Sequence, residues 1–276
     1  MRLLWIILIL LAANAATIGA MLLVRRRAPE GSYFMDGDRA SGVFGVLAGG
    51  FAIFAGFIIF LAFTTYDQSR TGGEAEALTV IQQFETAELL PATMRPRLTG
   101  ELVCYGRSVV HQEWPQMEHG RGGGTINPWA FALFQSLRLV NPRSATEQAA
   151  YGKWLDQTSD REEARRDRLH GAEGVTPVSI WLVLLLIAGV VFAFMLFFAD
   201  SGEGVRSQAM LMGSATTVIV LTLLAINALN SPDRHGLGRI EPVSMERSLR
   251  MLDRARDLLN ERAALPCDAR GAPVSS

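Results

Sequence analysis

The chain alternates between long stretches without charge and stretches rich in it. Four runs contain no Asp, Glu, Lys or Arg: 3–24, 43–65, 178–199 and 207–229. Each is about 22 residues long, just above the ~20 that a helix needs to cross the hydrocarbon core of a bilayer. In hydrocarbon the backbone must satisfy its own N–H and C=O groups, so these runs predict membrane helices. The first run follows Arg2 and carries small residues around 12–16, as a secretory leader does. It is longer than the usual ~7–15 residue leader core and ends in Arg25, Arg26 and Arg27, so it reads as a retained helix.

The spacing of the runs predicts an all-α membrane protein with four transmembrane helices in two hairpins. Residues 1–65 form the first hairpin, 66–177 a cytosolic helical insert, 178–229 the second hairpin and 230–276 a cytosolic helical tail. Four spans put the amino terminus, insert and tail on one face. Near the helix ends that face carries Arg2, Arg70, Arg161, Arg165, Arg166, Arg168, Arg234 and Arg239. The other carries Arg25, Arg26, Arg27, Arg39 and Arg206. The excess of basic residues marks the shared face as cytoplasmic, and the chain as a multi-pass protein of the inner (plasma) membrane. A cytoplasmic insert also suits a free Cys104, because cytosolic thiols stay reduced.

The insert reads as helices. Leu78, Ile81, Phe84 and Leu89 fall near helical spacing over 74–90, and only Gly72-Gly73 separates them from the second span, so one long helix is expected. A second helix covers 97–114 with Leu98, Leu102, Tyr105, Val109 and Glu113 in register. Pro115 is expected to end it. The glycines of 120–124 predict a flexible loop. Asn127-Pro128 starts a third helix through Phe131, Phe134 and Leu137, since proline costs nothing in a first turn. A fourth spans 146–170 with Tyr151, Trp154 and Leu155 inward, and its charged end, REEARRDR, reads as a solvated face or a contact for anionic headgroups. One amphipathic helix is expected over 245–264, and disorder over 270–276.

Composition adds little to this pattern. Hydrophobic residues make up 49%, charged residues 19%, and the net charge is -1. Near-neutral charge leaves no electrostatic footprint for nucleic acid. The histidines form no metal-ligand spacing; His111 and His119, flanked by Glu113 and Glu118, read as a surface cluster. No phosphate loop, dinucleotide fingerprint or nucleophile elbow is present. The chain therefore predicts no enzyme, cofactor or metal. No ionisable residue lies within the spans, where ion-coupled transporters keep their coupling groups. A passive pore or a structural membrane protein fits better than a pump.

Two features of the second span stand out. Gly45, Gly49, Ala52 and Gly56 share one face as a helix-packing seam, used within one subunit or between subunits. Beside it, Ile53, Phe57 and Phe60 form an apolar ridge. In a ring of subunits such a ridge is a pore constriction that gates by dewetting; in a monomer it faces lipid or other helices. In the insert, Glu113, Trp114 and Pro115 form the strongest motif, with a structural role expected.

Several stretches together resemble the bacterial bestrophin-like domain family: GFIIFLAFTTYDQSR at 56–70, GEAEALTVIQQ at 73–83, ELLPATMRPRL at 88–98, HQEWPQM at 111–117 and ALNSPDRHGLGRIEPVSMERSL at 228–249. The resemblance implies relation to bestrophins, pentameric anion-selective channels with a hydrophobic neck on the second span. It implies a lipid-embedded homo-oligomer, with chloride or another anion as the permeant species. Phe57 and Ile53 then take neck positions. Gly49, one turn earlier, stands where a bulky residue is expected. Asp67, Glu74 and Glu76 are too dispersed to form the calcium clasp of calcium-gated bestrophins. The other reading is a non-conducting scaffold or sensor that binds a partner through Arg161, Arg165, Arg166, Arg168 and the 245–264 helix.

Overall fold

A computed structural model describes residues 3–28, 33–119, 126–171, 176–230, 238–260 and 263–274. The 120–124 loop, Arg2, Arg234 and His235 lie outside them. The helices are α1 (Leu3–Arg25), α2 (Gly37–Ala87), α3 (Arg95–Ser108), α4 (Trp114–Glu118), α5 (Pro128–Leu137), α6 (Ala145–His170), α7 (Val178–Phe197), α8 (Val205–Leu229) and α9 (Val243–Leu258). Among the described residues the only β pairing is an isolated bridge between Cys267 and Pro273. The chain divides into two compact units. Unit 1 holds 1–64, 175–230 and 235–237; unit 2 holds 65–174, 231–234 and 238–276.

Unit 1 contains the four helices long and apolar enough to cross a membrane: α1, α2, α7 and α8. Its core is one apolar side of each, including Met21, Phe51, Ala55, Ile58, Leu184, Val191, Met212 and Ile219. First and fourth spans are neighbours here, with α1 lying along α8. Their contact has the small-residue and hydrogen-bond character of helix pairs in lipid. Asn14 Nδ2 donates to Thr217 Oγ1 at 3.1 Å and to the Leu10 carbonyl at 2.9 Å. Gly213 leaves room for that amide, since a Cβ there would stand 3.1 Å from Asn14 Oδ1. At the end of α1, Arg25 donates to Gln208 Oε1 at 2.9 Å and to the Ser201 and Glu203 carbonyls. Rings of Phe34, Phe44, Phe194 and Phe198 join the chain around the start of α2 to the end of α7.

Unit 2 packs α3–α6, α9 and the polar end of α2 around Val80, Phe84, Leu98, Leu102, Tyr105, Trp129, Leu133, Trp154 and Leu252. The expected long helix is present: α2 continues without a break through Gly72-Gly73. Pro115 does not end its helix. Between α3 and α4, residues Val109–Glu113 form a π-helical turn, in which the Trp114 N–H reaches the Val109 carbonyl. The extra residue re-phases the helix just before Pro115, whose missing N–H then falls in a first turn and costs nothing. Asn127 caps α5 by accepting from the Trp129 N–H at 3.0 Å. The buried side of α5 is Trp129, Leu133, Ser136 and Leu137, whereas Phe131 and Phe134 are exposed. Ser144 and Glu147 form a reciprocal capping box at the start of α6. On α6, Trp154 is buried but Leu155 is exposed.

Two expectations about the carboxyl-terminal part change. Cys104 is not free: it forms a disulfide with Cys267, 163 residues away in sequence. Residues 270–274 are not disordered. They belong to a strap, 263–274, in which the Gly271 carbonyl accepts from Trp129 Nε1 at 2.6 Å and the Arg270 carbonyl from Gln112 Nε2 at 3.2 Å. Gly271 has φ +78°, and a Cβ there would stand 2.4 Å from the Ser108 nitrogen, so only glycine lets the strap lie this close to α3.

Candidate functional site

Within unit 1 the apolar stretch of α2 turns one side inward, at Phe51, Ala55, Ile58 and Ala62, and leaves the opposite side open. Ile53, Phe57 and Phe60 lie on that open side, 78%, 59% and 61% exposed. Gly45, Gly49 and Gly56 have nothing within 4 Å of where a Cβ would stand. Among the described residues no other helix closes on these glycines. Ala52 and Gly56 also line an apolar groove of about 490 Å³, shared with Phe44, Val191, Met195 and Val218.

In unit 2 the structure brings together charges that the linear pattern keeps far apart. Arg168, fully buried on α6, donates through Nη2 to Glu76 Oε1 at 3.1 Å and to Glu113 Oε2 at 2.6 Å, and its Nε also bonds Glu76. Its guanidinium lies 5.1 Å from the centre of the Trp114 ring. Glu113 Oε1 accepts from Asn127 Nδ2 at 2.8 Å, and Arg165 approaches Oε2 at 3.3 Å. Tyr105 donates its hydroxyl to Glu76 at 2.5 Å. Two turns away, Arg161 donates to Gln83 Oε1 at 2.6 Å and lies 4.7 Å from the Tyr105 ring centre. Gly72 and Gly73 admit α6, for a Cβ on Gly72 would come within 2.6 Å of the Arg168 nitrogen.

These partners fix the protonation states. Burial alone would raise the Glu113 carboxyl, but Arg168 and Arg165 beside it, with hydrogen bonds from Arg168 and Asn127, hold it below the ordinary value. Burial, and then the Glu76 carboxylate, push Tyr105 well above the ordinary phenol value, so it remains a neutral donor. Burial disfavours the Arg168 charge, but Glu76 and Glu113 outweigh it and keep the guanidinium protonated. The cluster is therefore a charged network in which Arg168 lies between two carboxylates and Arg165 flanks one of them. Arg168 donates to Glu76, Glu113 and Met117 Sδ, and the Tyr105 hydroxyl and Asn127 amide donate to the same two carboxylates, which suits the cluster to holding α2, α4 and α6 together rather than to proton transfer.

The motif Glu113-Trp114-Pro115 thus lies at this network: Glu113 within it, Trp114 beside it with Nε1 donating to the Ile240 carbonyl at 3.3 Å, and Pro115 in the first turn of α4. His111 and His119 do not converge on a metal, and no group of three possible ligands stands together among the described residues. His119 Nδ1 is 2.7 Å from the Pro115 carbonyl. The partners that the linear reading missed are Glu76, Tyr105, Asn127, Arg161 and Arg168. Their signal was the register of α6. Ala150, Trp154, Gln157, Arg161, Ala164 and Arg168 follow alternate steps of four and three, one continuous buried stripe. The charge run is therefore only in part a solvated face: Arg161 and Arg168 continue the stripe that Trp154 begins, while Glu163 and Arg166 are exposed.

The family model of the bestrophin-like domain matches residues 11–242, spanning both units. The chain belongs to the bestrophin-like domain family. Solved structures agree in fold. A bacterial bestrophin homologue from Klebsiella pneumoniae, carrying a point substitution, superposes with TM-score 0.65 at 15% identity, covering 94% of this chain and 99% of the other. A structure described as a mutated membrane protein gives TM-score 0.68 at 13% identity, covering 92% and 99%. A comparison with curated proteins finds no match. This member of the bestrophin-like family is an α-helical membrane protein.

Proposed function

We propose that the protein is an oligomeric anion channel of the inner membrane, with α2 lining the pore and Ile53, Phe57 and Phe60 forming its constriction. The observation that carries this reading is the open side of α2: a bulky apolar ridge beside glycines that, among the described residues, no other helix covers. Copies of α2 arranged about an axis would bring that ridge into a ring, and a ring of apolar side chains controls conduction by excluding water. The family and the likeness to a bestrophin homologue support the same reading. The ring is expected to be a pentamer and the ion chloride or a related anion. For the scaffold reading Arg161 and Arg168 are unavailable, being buried in the charge network, and Arg165 pairs with Glu113, which leaves it Arg166 and the exposed side of α9.

The test is reconstitution. Purified protein in liposomes should pass chloride, and Phe57→Ala should raise the flux several-fold by widening and wetting the constriction. A monomer in a bilayer, or no flux from wild type and Phe57→Ala alike, overturns the reading.

The arginine count supports an insert and tail on the cytoplasmic side. The Cys104–Cys267 disulfide favours the opposite orientation, since disulfides persist in oxidising compartments and are rare in the cytosol. Thiol labelling of intact and permeabilised cells, with and without prior reduction, separates the two. Reduced cysteines in growing cells place unit 2 in the cytoplasm; cysteines that label only after reduction place it outside.

A further inference from the structure

Unit 2 carries a second feature that neither the ridge nor the charge network uses. It is a cavity of about 560 Å³, within the ~300–1,000 Å³ range of small-molecule sites. One wall is α2 at Tyr66, Arg70 and Glu74; the other is the segment from Arg239 into the first turns of α9; Trp114 also lines it. The walls are fixed by bonds of their own. The Tyr66 hydroxyl donates to the Gly238 carbonyl at 2.9 Å, and Trp114 Nε1 to the Ile240 carbonyl.

The chemistry of the lining selects an anion. Three guanidiniums face two carboxylates: Arg70, Arg239 and Arg247 against Glu74 and Glu241. Arg70 is braced by Glu74 at 3.2 Å, and Arg239 by Glu241 at 2.7 Å and Glu118 at 3.3 Å. A guanidinium has five N–H donors, so a braced fork still has donors to give. Arg247 makes no ion pair among the described residues. Among the groups that line the cavity the arginines outnumber the carboxylates by one, with Glu118 bracing Arg239 from outside the lining, and planar forks suit the oxygens of a phosphodiester. Ser244 adds a hydroxyl to the lining.

The chain's connectivity says where that phosphate would come from. Tyr66 is the first residue after the apolar run 43–65, and Arg239 follows soon after α8. Tyrosine and tryptophan near span ends sit at headgroup level, and basic pockets there bind anionic headgroups. We propose that this cavity binds the phosphate of an anionic phospholipid, a site that operates whether or not the protein conducts.

The full-length protein is tested in nanodiscs of phosphatidylcholine alone and of phosphatidylcholine with phosphatidylglycerol, following thermal unfolding by tryptophan fluorescence. Phosphatidylglycerol is expected to raise the unfolding midpoint of wild type. Arg70→Gln and Arg247→Gln should each weaken the apparent lipid affinity about fivefold, the factor that ~1 kcal/mol per basic residue corresponds to. Arg166→Gln, an exposed arginine outside the cavity, should leave it unchanged. A parallel titration of detergent-purified protein with inorganic phosphate assigns the source. Stabilisation by phosphate with the same arginine dependence, and none by phosphatidylglycerol, replaces the lipid with a soluble phosphate and overturns the lipid assignment. No stabilisation by either probe, or equal loss in Arg166→Gln, overturns the site.

Discussion

At the residue scale, the network around Arg168 shows how a buried charge is tolerated. Removing an arginine and two carboxylates from water is costly, and their attraction repays it only when almost every donor and acceptor is used. Arg168 meets that condition through Glu76, Glu113 and the face of Trp114. Because the Glu113 carboxyl is held below its ordinary value of 4.5, its stabilising contribution is complete above that value and is lost as pH falls through the lower folded value. The thermal midpoint of unit 2 should therefore fall as pH drops from about 5 to 3. Glu113→Gln should lower the midpoint at pH 7 by leaving Arg168 half-paired, and should flatten the acid limb. An unchanged acid limb in that variant would assign the acid sensitivity to another group. None of the pairing could be read from the polarity of REEARRDR alone, since partners 55 and 92 residues away decide whether a charge can be buried.

At the scale of elements, local signals located most helices and their faces in part: Leu98, Leu102, Tyr105, Val109 and Glu113 are all buried as their register predicts, whereas Leu78, Leu89 and Leu155 are exposed. The four uncharged runs, the Asn127-Pro128 start of α5 and the extended α2 follow from spacing and cap chemistry, which act within a few residues. The exposure of Leu78, Leu89 and Leu155, the π-helical turn before Pro115 and the seating of the strap depend on what packs against them, which spacing does not carry. The disulfide belongs to this second class. It closes a loop of 163 residues between α3 and the strap, and cross-links of long loops stabilise chiefly by restricting the unfolded chain. Cys267→Ser is expected to cost unit 2 about 2–4 kcal/mol. Wild type treated with reductant should unfold at the same midpoint as the variant, and a wild type indifferent to reductant would show the bond absent in the purified protein.

At the scale of the whole molecule, the open side of α2 separates folding from assembly. Gly49 has open space where a side chain would project, so Gly49→Leu should change the thermal midpoint of a dissociated subunit by no more than about 0.5 kcal/mol in stability. In the channel reading the same substitution adds bulk one turn from the ridge and should reduce chloride flux several-fold. A large loss of subunit stability would mean that a helix of the same chain covers this face after all. The family was legible in the sequence because its stretches are spread along the chain. The candidate constriction was legible only as a ridge, since a ring is a property of several chains.

One more consequence follows from unit 2 being built from stretches on either side of the second pair of spans, 65–174 before it and 231–234 and 238–276 after it. Ribosomes deliver the chain from its amino end, and domains generally fold as they emerge. Here α3–α6 emerge before the second pair of spans, whereas α9 and the strap that cover Trp129 and Cys104 emerge after it. The insert must therefore wait, with its core unclosed, until α7 and α8 have been synthesised. Completion of the water-facing half is thereby timed by synthesis of the membrane-facing half.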